Sequence, residues 1–130
     1  MTVSTIAAAI AILQPHYPGV GIGTRFPNDP DPEVPRPDRF IRLSRAGGDR
    51  DPALDHPRLL VEFLDVDEVR GEVDCYRGYD ILAAAGGGGP YAGGWVTGWE
   101  GNTIAQFDDP DLPGHTRWQF SGSLHILTRS

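Results

Sequence analysis

The chain predicts an α+β fold: a mixed, mostly antiparallel sheet of about five strands with two helices packed on one face. Three observations carry this. Two segments, 2–14 and 65–85, space their apolar residues at helical intervals, while the segments between and after them alternate at the period of a strand. The strand segments lie close together in sequence, which favours hairpins over crossovers. The length of 130 residues suits one domain, and no internal repeat divides it.

The first helix is predicted over residues 2–14, with Val3, Ile6, Ala7, Ile10 and Leu13 on one stripe. Thr2 or Ser4 can cap it and Pro15 ends it. In GVGIGTRF (19–26), Val20, Ile22, Thr24 and Phe26 alternate with glycine and arginine, a strand weakened by glycine. Residues 27–38 read as an extended loop, because Pro30, Pro32, Pro35 and Pro37 alternate with acids and other residues unsuited to regular structure.

RFIRLSR (39–45) reads as a strand with Ile41 and Leu43 on one face and Phe40 and Arg42 on the other. Glycines, prolines and aspartates predict a second irregular loop at 46–57. RLLVEFL (58–64) is apolar on both faces except at Glu62, which places it centrally and antiparallel to 39–45. Asp65 and Glu68 have capping-box spacing and predict the start of the second helix. Its buried stripe is expected along Val66, Val69, Val73, Tyr76, Tyr79 or Asp80, and Ala83. The glycines at 86–89 stop it. GWVTGWE (94–100) alternates Trp95, Thr97 and Trp99, and a third long loop follows at 107–116. The closing strand is the clearest: Trp118, Phe120, Gly122, Leu124 and Ile126 face one way, and Gln119, Ser121, Ser123 and His125 the other.

Composition narrows the function. The net charge is −7 and every basic residue is arginine, which disfavours tight binding to a nucleic-acid backbone or an anionic membrane surface. One cysteine, Cys75, builds no disulfide framework. The N-terminal apolar run lacks a positive region before it and is too short to span a bilayer, so it reads as a mature helix of a chain made in the cytoplasm.

No motif points to catalysis or to a cofactor. GGGGP (86–90) lacks the Lys and Ser/Thr of a phosphate loop, and it follows a helix instead of opening one. The aspartates at 29 and 31 and at 108, 109 and 111 lack the regular oxygen run and distal Glu of a calcium loop. His16, His56, His115 and His125 share no zinc-type spacing with one another or with Cys75. Cys75 reads as buried filler. Trp95, Trp99 and Trp118 could stack a sugar or base, but the same spacing serves a core or an interface, with Trp95 and Trp99 on one face. Three long loops with no catalytic set suggest a part that locks into its neighbours.

Several segments resemble one family. They are the short N-terminal helix, RPDRFIRLSRAGGDRD (36–51), HPRLLVEFLDVDEVRG (56–71) and the closing RWQFSGSLHIL (117–127). Together they are similar to the tail terminator proteins of siphophages that infect actinobacteria, over residues 2–127. The resemblance implies a non-enzymatic virion protein at the tail neck, working as a hexameric ring. Such a ring caps the tail tube, stops polymerisation of the major tail tube protein and meets the head-completion protein. Genomic DNA passes through its lumen without specific binding. On that reading Arg42, Arg45, Arg50 and Asp51 are candidates for contacts between subunits. Asp29, Asp31, Glu33, Asp108, Asp109 and Asp111 are candidates to face the lumen or a partner, repelling phosphate so that the duplex slides. The sequence departs from the family in its longer proline-rich 27–38 segment and its glycine-rich 86–94 linker. A neighbouring neck component is the runner-up, and a small ligand-binding domain using the tryptophans is the reading from another class.

Overall fold

A computed structural model describes residues 4–27, 36–50 and 54–127. The chain runs α1 (Thr5–Leu13), β1 (Gly21–Gly23), β2 (Arg39–Arg50), β3 (Leu54–Asp65), α2 (Glu68–Ala85), β4 (Gly89–Tyr91), β5 (Gly94–Gly101), β6 (Ala105–Gln106) and β7 (Thr116–Leu127). The strands form one sheet in the order β1-β2-β3-β7-β5-β4, with β6 also pairing β7. The β1–β2 pair is parallel and the other pairs are antiparallel. The α+β class stands, with β4 and β6 as short strands beyond the five expected.

Strand alternation sorts the sheet into two faces. Ile41, Leu43, Leu59, Val61, Phe63, Phe120, Leu124 and Ile126 share one buried cluster with Ala8, Ile12, Leu13, Cys75 and Leu82 of the helices. A smaller cluster of Phe26, Phe40, Leu64 and Leu112 lies on the other face. The predicted central position of 58–64 and its antiparallel partner 39–45 are both observed: β3 lies between β2 and β7, with Leu43 opposite Val61 and Val61 opposite Phe120.

Where it is described, at 46–50 and 54–57, the predicted 46–57 loop is instead strand. β2 continues to Arg50 and β3 begins at Leu54, with Gly48 opposite Pro57 and Arg50 opposite Asp55. A register shift between Arg45 and Gly48 absorbs the irregular residues. Gly47 and Gly48 take φ of 105° and 103°, which a side-chain-bearing residue resists. Glycine here builds a bulge inside a ladder instead of ending it.

Ser4 caps α1 by accepting from the Ala7 amide at 3.1 Å. A single 3-10 turn at Gln14–His16 carries Pro15, which has no amide hydrogen to extend the helix. The buried positions of α1 are Thr5, Ala8, Ala9, Ile12 and Leu13, not the stripe expected from its isoleucines. In an almost wholly apolar helix the periodicity is weak, and the small Ala8 and Ala9 are fully buried in the core that α1 shares with α2.

α2 departs further from expectation. Its cap is Asp67, which accepts from the Arg70 amide at 3.0 Å; Asp65 still belongs to β3, paired with Arg39 and Thr116. The face it buries is Gly71, Cys75, Gly78, Leu82 and Ala85. The expected stripe points into solvent: Val66, Val69, Val73 and Tyr76 are 47%, 71%, 54% and 45% exposed. Close approach to the sheet explains the reversal. A Cβ on Gly78 would lie 2.5 Å from Phe63 Cζ. Large aromatic rings on the sheet select the face of the helix that carries glycine where they come close. The helix ends at Gly86, as expected from the glycine run, and Gly88 takes φ of 112°.

A bulge between Val96 and Gly98 in β5 also separates two residues expected on one face. Val96 and Trp99 pack under the helices, while Trp95 turns outward.

Candidate functional site

The outer face of the sheet, opposite the helices, gathers most of the candidate residues on described backbone. Arg42 on β2 lies directly opposite Glu62 on β3. Its guanidinium binds both carboxylate oxygens, Nε donating to Oε1 at 2.9 Å and Nη2 to Oε2 at 2.8 Å. Glu62 is only 5% exposed, so this two-pronged pair compensates a charge withdrawn from water. Arg117 on β7 reaches the same carboxylate at 3.3 Å. Asp109, from the 107–115 loop, lies 3.5 Å from Arg117 and 3.8 Å from Arg42. The hydrogen bond to Glu62 raises the basicity of Arg42 against the opposing effect of burial, and the charges of Glu62 and Asp109 add to the rise.

These contacts pin the 107–115 loop to the sheet. Arg117 Nε donates to the Phe107 carbonyl at 2.6 Å, and its amide donates to Asp108 at 3.1 Å. Asp109 Oδ1 accepts from the Asp111 amide at 2.9 Å, which shapes the turn. Leu112 plugs into Phe26, Phe40 and Leu64. His115 Nε2 donates to the Pro37 carbonyl at 2.8 Å while its ring meets Phe26 edge-on. The loop is therefore held by packing as well as by charge. A cleft of about 320 Å³ remains between Arg25, Phe26, Arg42, Asp109 and Asp111.

The structure thus brings Arg42 and Asp109 together, although one was expected at a subunit contact and the other at a lumen or partner surface. Both are engaged within the chain. Asp108 and Asp111 share the loop with Asp109 and are exposed. Arg45 is exposed near the β2 bulge and donates to the Gly48 carbonyl at 3.1 Å. Arg50 sits in β2 opposite Asp55. Asp29, Asp31, Glu33 and Asp51 lie outside the described residues.

A second charged cluster locks β3 to α2. Asp65 is 2% exposed and accepts from Arg70 Nε at 2.8 Å, Arg70 Nη2 at 2.7 Å and the Asp67 amide at 2.8 Å. Arg39 bridges Asp65 at 3.7 Å and Asp74 at 2.7 Å. Capping-box spacing at Asp65 and Glu68 is a poor guide here, because the acid at 65 is committed to an arginine five residues later.

The three tryptophans do not form one platform. Trp99 meets Phe120 edge-on at 6.0 Å, Trp118 meets Tyr76 at 6.3 Å, and Trp95 stands outside, 49% exposed. Trp95 is directly opposite Leu127, itself 38% exposed, and their neighbours Val96 and Ile126 are buried on the helix side. The open end of the outer face therefore carries an apolar pair. A second cleft, of about 450 Å³, lies at the ends of the helices between Ile12, His16, Arg77, Asp80, Ile81 and Tyr91. Burial pushes the Cys75 thiol up to about 12, far from an activated nucleophile. Among the described residues, no three His, Cys, Asp or Glu side chains are grouped to hold a metal ion. No described helix is long and apolar enough to cross a membrane.

The exposed stripe on α2 and the Trp95–Leu127 pair are the surfaces that sequence reasoning misplaced. The seven-residue spacing of Gly71 and Gly78 around Cys75 is a signal that could have revealed the first. No protein-family model matches the chain, and no characterised relative matches it in sequence.

Proposed function

We propose that the chain is a structural subunit of a tailed phage, a tail terminator that assembles as a hexameric ring at the neck of the virion. The observation that carries this reading is the outer face of the sheet. Among the described residues it has no helix layer. The 107–115 loop covers one end, and the other end presents Trp95 and Leu127 to solvent in direct register. Apolar side chains set together on an open sheet are a surface that gains by being covered. A neighbouring copy covers it in a ring through a contact between two different patches, which closes by rotation.

The charge balance agrees. A net charge of −7, with Asp108 and Asp111 exposed on one loop, suits a lumen through which DNA passes without sticking. On this reading the ring caps the tail tube, stops the major tail tube protein from polymerising and receives the head-completion protein. The resemblance of segments 36–51, 56–71 and 117–127 to siphophage tail terminators supports the same assignment.

Negative-stain imaging of the purified chain tests it. Closed rings with sixfold symmetry are expected, and Trp95→Asp is expected to abolish them while leaving the circular dichroism spectrum unchanged. Monomers alone, at high concentration and beside tail tubes, would overturn the assignment.

A further inference from the structure

β4 is the last strand at one edge of the sheet. Its Pro90 is directly opposite Trp95, and its Tyr91 is opposite Gly94. Alternation therefore sends Pro90 and Trp95 to the outer face and Tyr91 to the helix side. There Tyr91 packs against the main core and lines the cleft of about 450 Å³ at the ends of the helices. Ile12, Ile81, Ala84 and Ala85 line the same cleft. An exposed indole and an apolar hollow thus lie back to back across one edge of the sheet.

The hollow suits that indole in size and in chemistry. Its volume falls in the range of clefts that enclose small organic groups. Asp80 also lines it and has no hydrogen bond or ion pair among the described residues. A tryptophan buried at a contact needs an acceptor for its Nε1–H, and this carboxylate supplies one. The cleft beside Arg42 is walled instead by Arg25, Asp109 and Asp111, charges that an indole would strip of water. Of the other exposed aromatic rings, Tyr76 belongs to the helix that walls the hollow, and Phe107 stands at the far end of β7, where its amide donates to the Arg117 carbonyl. We infer that Trp95 of one copy seats in this hollow of the next. The inference rests on the terminator reading and names the second of the two patches which that reading requires. With the two sites on opposite faces, each copy offers an indole to one neighbour and a hollow to the other. Such a head-to-tail contact leaves one indole and one hollow unused in a pair, and a fixed rotation at each step closes it into a ring.

Complementation between two variants tests it. Trp95→Asp removes the indole and keeps the hollow; Ala84→Trp fills the hollow and keeps the indole. Each alone is expected to scatter light as a single chain. An equal mixture is expected to give pairs and nothing larger, because one sound contact remains between unlike chains. Ala84 is exposed, and circular dichroism checks that the filled variant folds. Ala84→Arg, well suited to an exposed helix position, blocks the hollow by charge and is read in the same way. Rings that survive both Ala84→Trp and Ala84→Arg would overturn the inference and leave the terminator reading standing. A mixture that stays as single chains, while the unaltered protein forms rings, would overturn it too. Unaltered chains that form no rings would sink the terminator reading, and this inference with it.

Discussion

Gly78 faces the Phe63 ring across the gap between α2 and the sheet, and its missing side chain is what lets that ring occupy the space. A Cβ there would sit 2.5 Å from the Phe63 ring. Gly78→Ala is expected to lower stability by about 1–3 kcal/mol, despite the better helix propensity of alanine, because overpacking outweighs propensity. Urea denaturation measures the loss. Close by, Cys75 and Tyr17 share one consequence of burial. The Cys75 thiol is pushed from 9.0 up to about 12, and burial followed by the charge of Asp74 also raises the Tyr17 phenol. Both groups are neutral when protonated, so the folded chain holds their protons more tightly than the unfolded chain does. Their contribution to stability is complete below about pH 9 and is lost as the pH rises toward 12. Denaturation midpoints measured from pH 8 to 11 should fall continuously, and a Cys75→Ala variant should show a shallower fall over the same range.

The strands and the hairpin pairing were legible in the sequence because alternation reports a sheet directly. Ile41 and Leu43 against Phe40 and Arg42, and the run from Phe120 to Ile126, all face as their period demands. What was not legible depends on contacts distant in sequence. Val69, Val73 and Tyr76 satisfy a helical stripe as well as Gly71, Cys75 and Gly78 do, and only the bulk of Phe63 and Trp118 decides which stripe turns inward. The bulges at Gly47–Gly48 and near Thr97 are equally hidden, since glycine and aspartate signal a loop or a bulge alike. Of the candidate site, the resemblance and the charge pattern single out Arg42 and Asp109 for different surfaces; that they meet each other within the chain required the fold. The bulge is testable by itself. A side chain on Gly47 would touch nothing within 4 Å, yet its φ of 105° is unfavourable to any L residue. Gly47→Ala should therefore cost about 1–2 kcal/mol from backbone strain alone, read from its unfolding midpoint. The Glu62 cluster is a second test of how elements are joined. Arg42→Met leaves a buried carboxylate with Arg117 as its remaining partner, and should cost about 2–3 kcal/mol. Adding Glu62→Leu should recover most of that loss, because the buried charge goes with its partner.

At the scale of the whole molecule, the described residues cover one side of the sheet with helices and the other only in part. The helices complete the core on the inner face, and the 107–115 loop with its arginine clamps covers one end of the outer face. Among the described residues, exposed large apolar side chains stand at three separate places, the outward face of α2, the Trp95–Leu127 pair and Phe107 on the loop. A subunit that must meet copies of itself, and other proteins above and below, needs distinct surfaces of this kind. The proposed terminator makes self-association the property on which everything else depends. The native mass of the purified chain across a concentration series, taken by light scattering, tests this most directly. A plateau at six chain masses that collapses in Trp95→Asp is the predicted result; one chain mass at every concentration, with and without tail tubes present, would contradict it.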